Sequence, residues 1–167
     1  GLKLRIQSSK VLDAQMRGVG ASPQVLAFGE VYTALQTGTV DGGENTLSNI
    51  FTQKMHEVQR NITISDHGYI GYGVIVNKKF WDGLPPDIRG ILEQAMKDAT
   101  IYERQVAQQE NDRALAGIRA LKKTEIKILS AAERAEWQKA FRALYPKFES
   151  IVGRDTIVAI QQAAGTK

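Results

Sequence analysis

Residues 86–121 read PDIRGILEQAMKDATIYERQVAQQENDRALAGIRAL, and this stretch dominates the predicted architecture. Pro86 suits the first turn of a helix, and no proline interrupts the residues after it. Apolar residues recur at helical spacing towards both ends, whereas residues 108–113, QQENDR, are polar on every side. A continuous helix of this length would run about 50 Å, which is too long for one small domain. We therefore predict one long helix that bridges two bodies across solvent, with two helices joined near Asn111 as the alternative.

The sequence before the long helix alternates short strands with short helices. Residues 2–7 alternate apolar and polar side chains, which indicates a strand, and the serines that follow can cap a helix. Ser22-Pro23 predicts a turn. Further strands are predicted at residues 24–27, 40–43, 62–65 and 73–76, and helices from Phe28 and from residues 44–46. This order predicts an α/β domain with a largely parallel sheet.

A strand and further helices are predicted after residue 121. Residues 125–128 are strand-like, and Ser130 with Glu133 has the spacing of a capping box at the start of a helix. Pro146 ends or kinks that helix, and a last helix is expected over residues 156–163. The second half is thus expected to be mostly helical.

The composition excludes several classes of protein. The chain has 167 residues, 43% hydrophobic and 24% charged, which are ordinary globular values, and it lacks an apolar run long enough to cross a membrane. It contains no cysteine, so disulfide frameworks, thiolate metal sites and cysteine nucleophiles are excluded. The net charge of +4 forms no basic stripe interleaved with aromatics, so no nucleic-acid partner is expected. Because the chain begins at Gly1 with no positively charged leader, we expect a processed chain or part of a longer one.

Arg5 is the strongest candidate for ligand binding. It lies near the carboxyl end of the first predicted strand, where ligands bind in open α/β sheets. Ser8 and Ser9 place the N-terminus of a helix at the same end, with free N–H groups and the positive end of the helix dipole. A guanidinium fixed there would be a good carboxylate receptor, because its planar fork can bind both oxygens. The alternative is an exposed arginine on an edge strand.

Phe28, Asn45 and His67 are weaker candidates. Phe28 could wall a ligand site, although core packing is the commoner role, and Asn45 is typical of a helix N-cap whose amide could also reach a ligand. His67 beside Asp66 invites a catalytic interpretation, yet no nucleophile motif accompanies it. A two-histidine metal site lacks a carboxylate at suitable spacing, and no phosphate-binding glycine motif is present. These residues therefore argue against an enzyme, a metal site or a bound cofactor.

Several stretches of the chain together resemble a known family. In order they are LRIQS at 4–8, GASP at 20–23, AFGEVYTALQTG at 27–38, VDGGEN at 40–45, QKMHEVQ at 53–59, DHGY at 66–69 and VNKKFW at 76–81. The combination resembles the substrate-binding proteins of tripartite ATP-independent periplasmic (TRAP) transporters, and among them the dicarboxylate-binding, DctP-type branch. The resemblance extends over nearly the whole chain.

The resemblance implies a two-lobed, periplasmic-binding-protein-like α/β fold of the class II type, with a long helix crossing both lobes. Most of the first lobe would be missing here, as expected of a carboxy-terminal portion. Residues 1–70 and 111–167 would form the second lobe, and residues 71–110 would belong to the first. We expect this last segment to be rearranged or packed against a second copy of the chain, because its strands would lose their sheet neighbours.

The resemblance also implies a function. The protein would be periplasmic, with its signal peptide removed, and would carry a small organic anion to the TRAP membrane permease; a C4-dicarboxylate such as succinate, malate or fumarate is expected. The residues matching Arg5 and Asn45 would hold the carboxylate, and those matching Phe28 and His67 would line or approach the cleft. The alternatives are a ligand-sensing domain of a regulator or receptor, and a fragment with no tight binding of its own.

Overall fold

The strands form two small parallel sheets in the computed structural model, which describes residues 1–163. The first sheet has the order β2-β1-β3 and consists of β1 (Lys3–Ile6), β2 (Ser22–Val25) and β3 (Gly42–Gly43). The second consists of β4 (Asn61–Ile64) and β5 (Glu125–Ile128), which pair in parallel along their whole length. The predicted α/β arrangement with parallel strands is confirmed.

Eight α-helices accompany these sheets within the described residues. They are α1 (Lys10–Gly18), α2 (Val31–Gln36), α3 (Leu47–Thr52), α4 (Lys78–Asp82), α5 (Pro86–Leu121), α6 (Ala131–Arg142), α7 (Tyr145–Val152) and α8 (Arg154–Ala163). Local signals set several of their ends. Ser9 caps α1 by accepting a hydrogen bond from the Leu12 N–H, and the predicted capping box of Ser130 and Glu133 opens α6. Gly38 follows α2 with a positive φ of 71°, a conformation that glycine adopts without strain.

The long helix is continuous, as predicted. Helix α5 runs for 36 residues from Pro86 to Leu121, so the alternative of two helices is wrong. Its polar middle is stabilised by its own side chains: the Gln108 amide donates to Asp112 at 3.0 Å, and Arg113 pairs with Glu110 at 2.8 Å. The helix is buried only towards its carboxyl end, at Ala114 and Ile118, where α3 packs against it.

Gly117 lies at this contact between the helices α3 and α5. A Cβ at this position would lie 2.9 Å from the Phe51 Cζ, which is closer than real Cβ contacts come. The Phe51 ring is held from another side, since it stacks on His56 with ring centroids 5.2 Å apart. The absence of a side chain at Gly117 therefore lets α5 approach α3 closely.

The hydrophobic core lies beside the first sheet. One buried cluster joins α2 to the segment before α3 and the short 3-10 turn Met55–Glu57, and it consists of Val31, Ala34, Leu35, Val40 and Met55. Ile6 of β1 and Met16 of α1 are also fully buried, with 0% and 2% of their surface exposed. The burial of Ile6 holds the end of β1 inside the protein, next to Arg5.

One predicted strand and one predicted turn are wrong. Residues 73–76 form no strand, and Val74 and Ile75 are 78% and 92% exposed, because no strand within residues 1–163 lies alongside to pair with them. The predicted turn at Ser22-Pro23 is instead the start of β2, two residues earlier than expected. Pro23 is tolerated there because β2 is an edge strand, where a missing N–H costs no ladder hydrogen bond.

Candidate functional site

Arg5 occupies the central strand of the first sheet. Strand β1 pairs with β2 on one side and with β3 on the other, so the alternative of an exposed edge-strand arginine is wrong. Only 4% of Arg5 is exposed. Its Nε and Nη2 both donate to the backbone carbonyl oxygen of Leu26, at 3.1 and 2.8 Å. This pair of hydrogen bonds fixes the plane of the guanidinium.

The other edge of the Arg5 guanidinium is free to bind a ligand. Nη1 and the second N–H of Nη2 donate to no acceptor within residues 1–163. No side-chain nitrogen or oxygen buried in that part of the chain lacks a partner, so Nη1, which has none, reaches open space. A carboxylate needs two parallel N–H donors in one plane, and the two Nη atoms of Arg5 provide that arrangement.

A cavity of about 210 Å³ lies against Arg5. Phe28 and Asn45 also line it, so the structure brings together three of the five predicted site residues. Phe28 is 40% exposed at the start of a short 3-10 turn, and its interpretation as a core residue is therefore wrong. Ser8 is exposed and does not line the cavity, whereas His67 lines a larger adjoining cleft.

Asn45 does not cap a helix, contrary to the prediction. The N-cap of α3 is Thr46, whose hydroxyl accepts a hydrogen bond from the backbone N–H of Asn49. The Oδ1 of Asn45 instead accepts two hydrogen bonds, from the Thr46 backbone N–H at 3.0 Å and from the Asn49 Nδ2 at 2.7 Å. Its amide is therefore held in a defined orientation beside Arg5.

Glu44 is a site residue that the sequence analysis missed. Its side chain is only 11% exposed and lines the same cavity as Arg5. Burial raises the pKa of Glu44, and the positive charge of Arg5 opposes that rise. The available signal was the register of the sheet: Gly43 pairs with Arg5, so the next residue must fall near the carboxyl end of β1.

His67 is held by its neighbours rather than by Asp66. The Nδ1 of His67 lies 2.7 Å from the Ser65 hydroxyl, and its Nε2 lies 4.0 Å from the Glu44 carboxylate. Asp66 points to Arg134 and pairs with it at 2.7 Å. Burial lowers the pKa of His67, although Asp66 partly opposes this. A catalytic pair would require a direct hydrogen bond between Asp66 and the His67 ring, and Asp66 makes no such bond.

The described residues contain no cluster suited to a metal ion and no helix suited to crossing a bilayer. No cluster of three or more histidine, aspartate or glutamate side chains within residues 1–163 could hold a metal ion. None of the helices in that range combines the length and the apolar character needed to span a bilayer. The cavity beside Arg5 presents a fixed guanidinium and an oriented amide, groups that can donate hydrogen bonds to an anion.

Comparison with known proteins identifies the family. The profile of the DctP family, described as "Bacterial extracellular solute-binding protein, family 7", matches residues 1–151. The chain belongs to this family. DctP-family proteins are substrate-binding proteins and are not a class of enzymes. The predicted resemblance to the dicarboxylate-binding branch is confirmed.

Relatives and solved structures agree with the DctP assignment. The C4-dicarboxylate-binding periplasmic protein DctP of Rhodobacter capsulatus is 53% identical over 163 residues, which is 98% of this chain and 49% of that protein. A TRAP periplasmic solute-binding protein of Sulfurospirillum deleyianum, solved with bound succinate, is 48% identical with a TM-score of 0.86, covering 96% of this chain and 53% of that one. One from Shewanella oneidensis, also with bound succinate, is 40% identical with a TM-score of 0.91, covering 95% of this chain and 52% of that one.

These comparisons confirm the predicted fold class. The neighbours are TRAP periplasmic solute-binding proteins, and the long helix α5 fits the predicted periplasmic-binding-protein-like architecture. The chain spans about half the length of the relatives it matches, at 49% of the Rhodobacter protein and 53% of the Sulfurospirillum protein.

Proposed function

We propose that this chain supplies the carboxylate-binding site of a periplasmic TRAP solute-binding protein for C4-dicarboxylates such as succinate, malate or fumarate. The observation that carries the proposal is the buried guanidinium of Arg5, held by Leu26 and free at its Nη edge beside a cavity of about 210 Å³. The relatives support the choice of ligand, since two similar solved proteins hold succinate and a third, from Pseudomonas aeruginosa, holds L-malate.

Each site residue has a distinct role in the proposal. Arg5 binds both oxygens of one ligand carboxylate through its two Nη atoms. Asn45 adds a hydrogen bond from its Nδ2, and Phe28 provides an apolar wall for the carbon chain. His67 does not touch the ligand; it acts through the Glu44 carboxylate, which lies 4.0 Å from its Nε2. Ser8 contributes only as part of the loop that leads into α1, because its side chain is exposed.

The proposal extends to the organisation of the protein. Residues 1–70 and 111–167 belong to one lobe and residues 71–110 to the other, with α5 crossing between them. The large exposed side chains of residues 71–110, such as Tyr72, Ile75 and Phe80 at 88%, 92% and 58%, support this, because they offer apolar surface to a partner layer. The same surface would drive self-association of a chain that lacks its partner layer. The loaded protein passes its ligand to a TRAP permease and catalyses no reaction.

Calorimetric titration of the full-length protein tests this function. We expect succinate, malate and fumarate to bind, and butyrate, which lacks the second carboxylate, to bind far more weakly. Thermal unfolding gives an independent measurement, since a ligand at about 100 times its Kd adds about 2.7 kcal/mol to the free energy of unfolding. If none of the three dicarboxylates gives heat or a thermal shift, the proposed function is wrong.

A further inference from the structure

We propose that Asn49 is a positioning residue for ligand binding, because it fixes the side-chain amide of Asn45 with the Nδ2 directed to the ligand carboxylate. The inference rests on the proposed function and adds a residue that does not itself hold the ligand. Asn49 lies in α3, four residues after Asn45, and both residues line the cavity beside Arg5.

The orientation of the Asn45 amide follows from its partners. A backbone N–H can only donate, so the Asn45 atom that lies 3.0 Å from the Thr46 nitrogen must be the oxygen. The Nδ2 of Asn49 donates to the same oxygen at 2.7 Å, the shorter of the two contacts. Rotating the Asn45 amide by half a turn would set its NH₂ group against the Thr46 N–H, so Thr46 excludes the reversed amide. Asn49 then holds the same oxygen in place through the shorter contact.

The consequence is that the Asn45 Nδ2 can donate a hydrogen bond to a ligand. The Asn45 Nδ2 has no hydrogen-bond acceptor within residues 1–163, yet every buried side-chain nitrogen there has a partner, so this group is accessible. The free Nη edge of Arg5 lies against the same cavity. Both groups donate and neither accepts, which suits the oxygens of an ionised carboxylate.

A double-mutant cycle on succinate binding tests the inference, measured by calorimetry on the full-length protein. We expect Asn45→Ala to weaken succinate binding about 10- to 100-fold, because a hydrogen bond to a charged group is lost. Asn49→Ala should weaken binding by about 3- to 10-fold, because only the orientation of Asn45 is relaxed. The double variant should bind like Asn45→Ala alone, since Asn49 acts only through Asn45.

Controls separate this role from a structural one. Ser48→Ala, at the adjacent position of α3 and outside the cavity lining, should leave the Kd for succinate unchanged. If Asn49→Ala does not fold, Asn49→Leu replaces it, because leucine fills a similar volume without a donor.

Two results would overturn the inference. Independent effects, in which Asn49→Ala weakens the Asn45→Ala variant as much as it weakens the wild type, would show that Asn49 does not work through Asn45. An unchanged Kd in both Asn49 variants would show that Thr46 alone is sufficient. A wild-type protein that binds no succinate would instead remove the proposed function, and this inference with it.

Discussion

Replacing Arg5 by lysine separates charge from geometry at the binding site. Lysine keeps the positive charge, but its single ammonium group lacks the planar fork. In the structure the Arg5 side chain serves two sides at once, since Nε and Nη2 donate to the Leu26 carbonyl and the Nη edge remains for the ligand. The ammonium group of a lysine at this position can donate well either to the Leu26 carbonyl or to the ligand, but it cannot donate to both in one plane. We therefore expect Arg5→Lys to fold and to bind succinate weakly.

The size of the effect follows from the contacts that are lost. A bidentate pair reduced to a single contact loses one charge-assisted hydrogen bond, worth about 1.5–3 kcal/mol, which corresponds to a Kd about 10- to 150-fold higher. Removing the charge entirely with Arg5→Ala should cost about 2–5 kcal/mol, because one side of a desolvated ion pair is left alone. Calorimetric titration of the full-length variants with succinate measures both values.

A matched control is available on the neighbouring helix. Arg17 has a side chain that is 62% exposed and pairs with Asp13, one turn away in α1. Arg17→Lys should leave the Kd for succinate unchanged, because this arginine lies outside the cavity. The reasoning fails if Arg5→Lys binds succinate as tightly as the wild type, since charge alone would then explain recognition.

Three further predictions concern stability. Burial raises the pKa of Glu44, so the folded protein holds this proton to higher pH than the unfolded chain, and the free energy of unfolding falls as the pH rises above about 4.3. Glu44→Gln should remove this component of the pH dependence, measured by urea unfolding at about pH 4 and about pH 8. A pH dependence that is the same in the variant and the wild type would contradict the prediction. Gly117→Leu should lower the free energy of unfolding by about 1–3 kcal/mol, because the new side chain overlaps the Phe51 ring; thermal unfolding without loss of stability would show that α3 and α5 separate freely. Ser130→Ala should cost about 1 kcal/mol in denaturant unfolding by removing the cap of α6, whereas Ser130→Thr, which retains the hydroxyl, should lose little.

Elements with local signals could be predicted from the sequence. Helix α5 follows from proline placement and apolar spacing alone, and α6 follows from the Ser130–Glu133 capping box. Strand β5 also has its predicted bounds. Each of these depends on residues within a few positions of one another, so no knowledge of tertiary contacts was needed.

Features that depend on distant partners could not be predicted in the same way. Residues 73–76 have the composition of a strand, but a strand forms only where another lies beside it. Pro23 was interpreted as a turn residue because its place on a sheet edge is a property of the topology. Phe28 was placed at the cleft only through the family resemblance, since the residue alone favoured core packing and exposure at a cavity leaves no mark on the sequence.

The candidate site was predicted in part for the same reason. Arg5 was found because it lies near the end of a recognisable strand, and Asn45 because it follows a glycine turn. Glu44 and Asn49 were missed, because their importance lies in what they face: a buried guanidinium for one and a neighbouring amide for the other. Side-chain orientation across a sheet register or a helical turn supplies that information.

The uneven burial of α5 has a mechanical consequence. The helix is buried near Ala114 and Ile118, and about 42 Å of it extends from Ala114 back to Pro86. A tilt of the helix by about 10° at this contact would displace Pro86 by about 7 Å, since displacement grows with distance from the pivot. Small adjustments of α3, which begins two residues after Asn45, would in this way become large movements at the far end of a stiff helix.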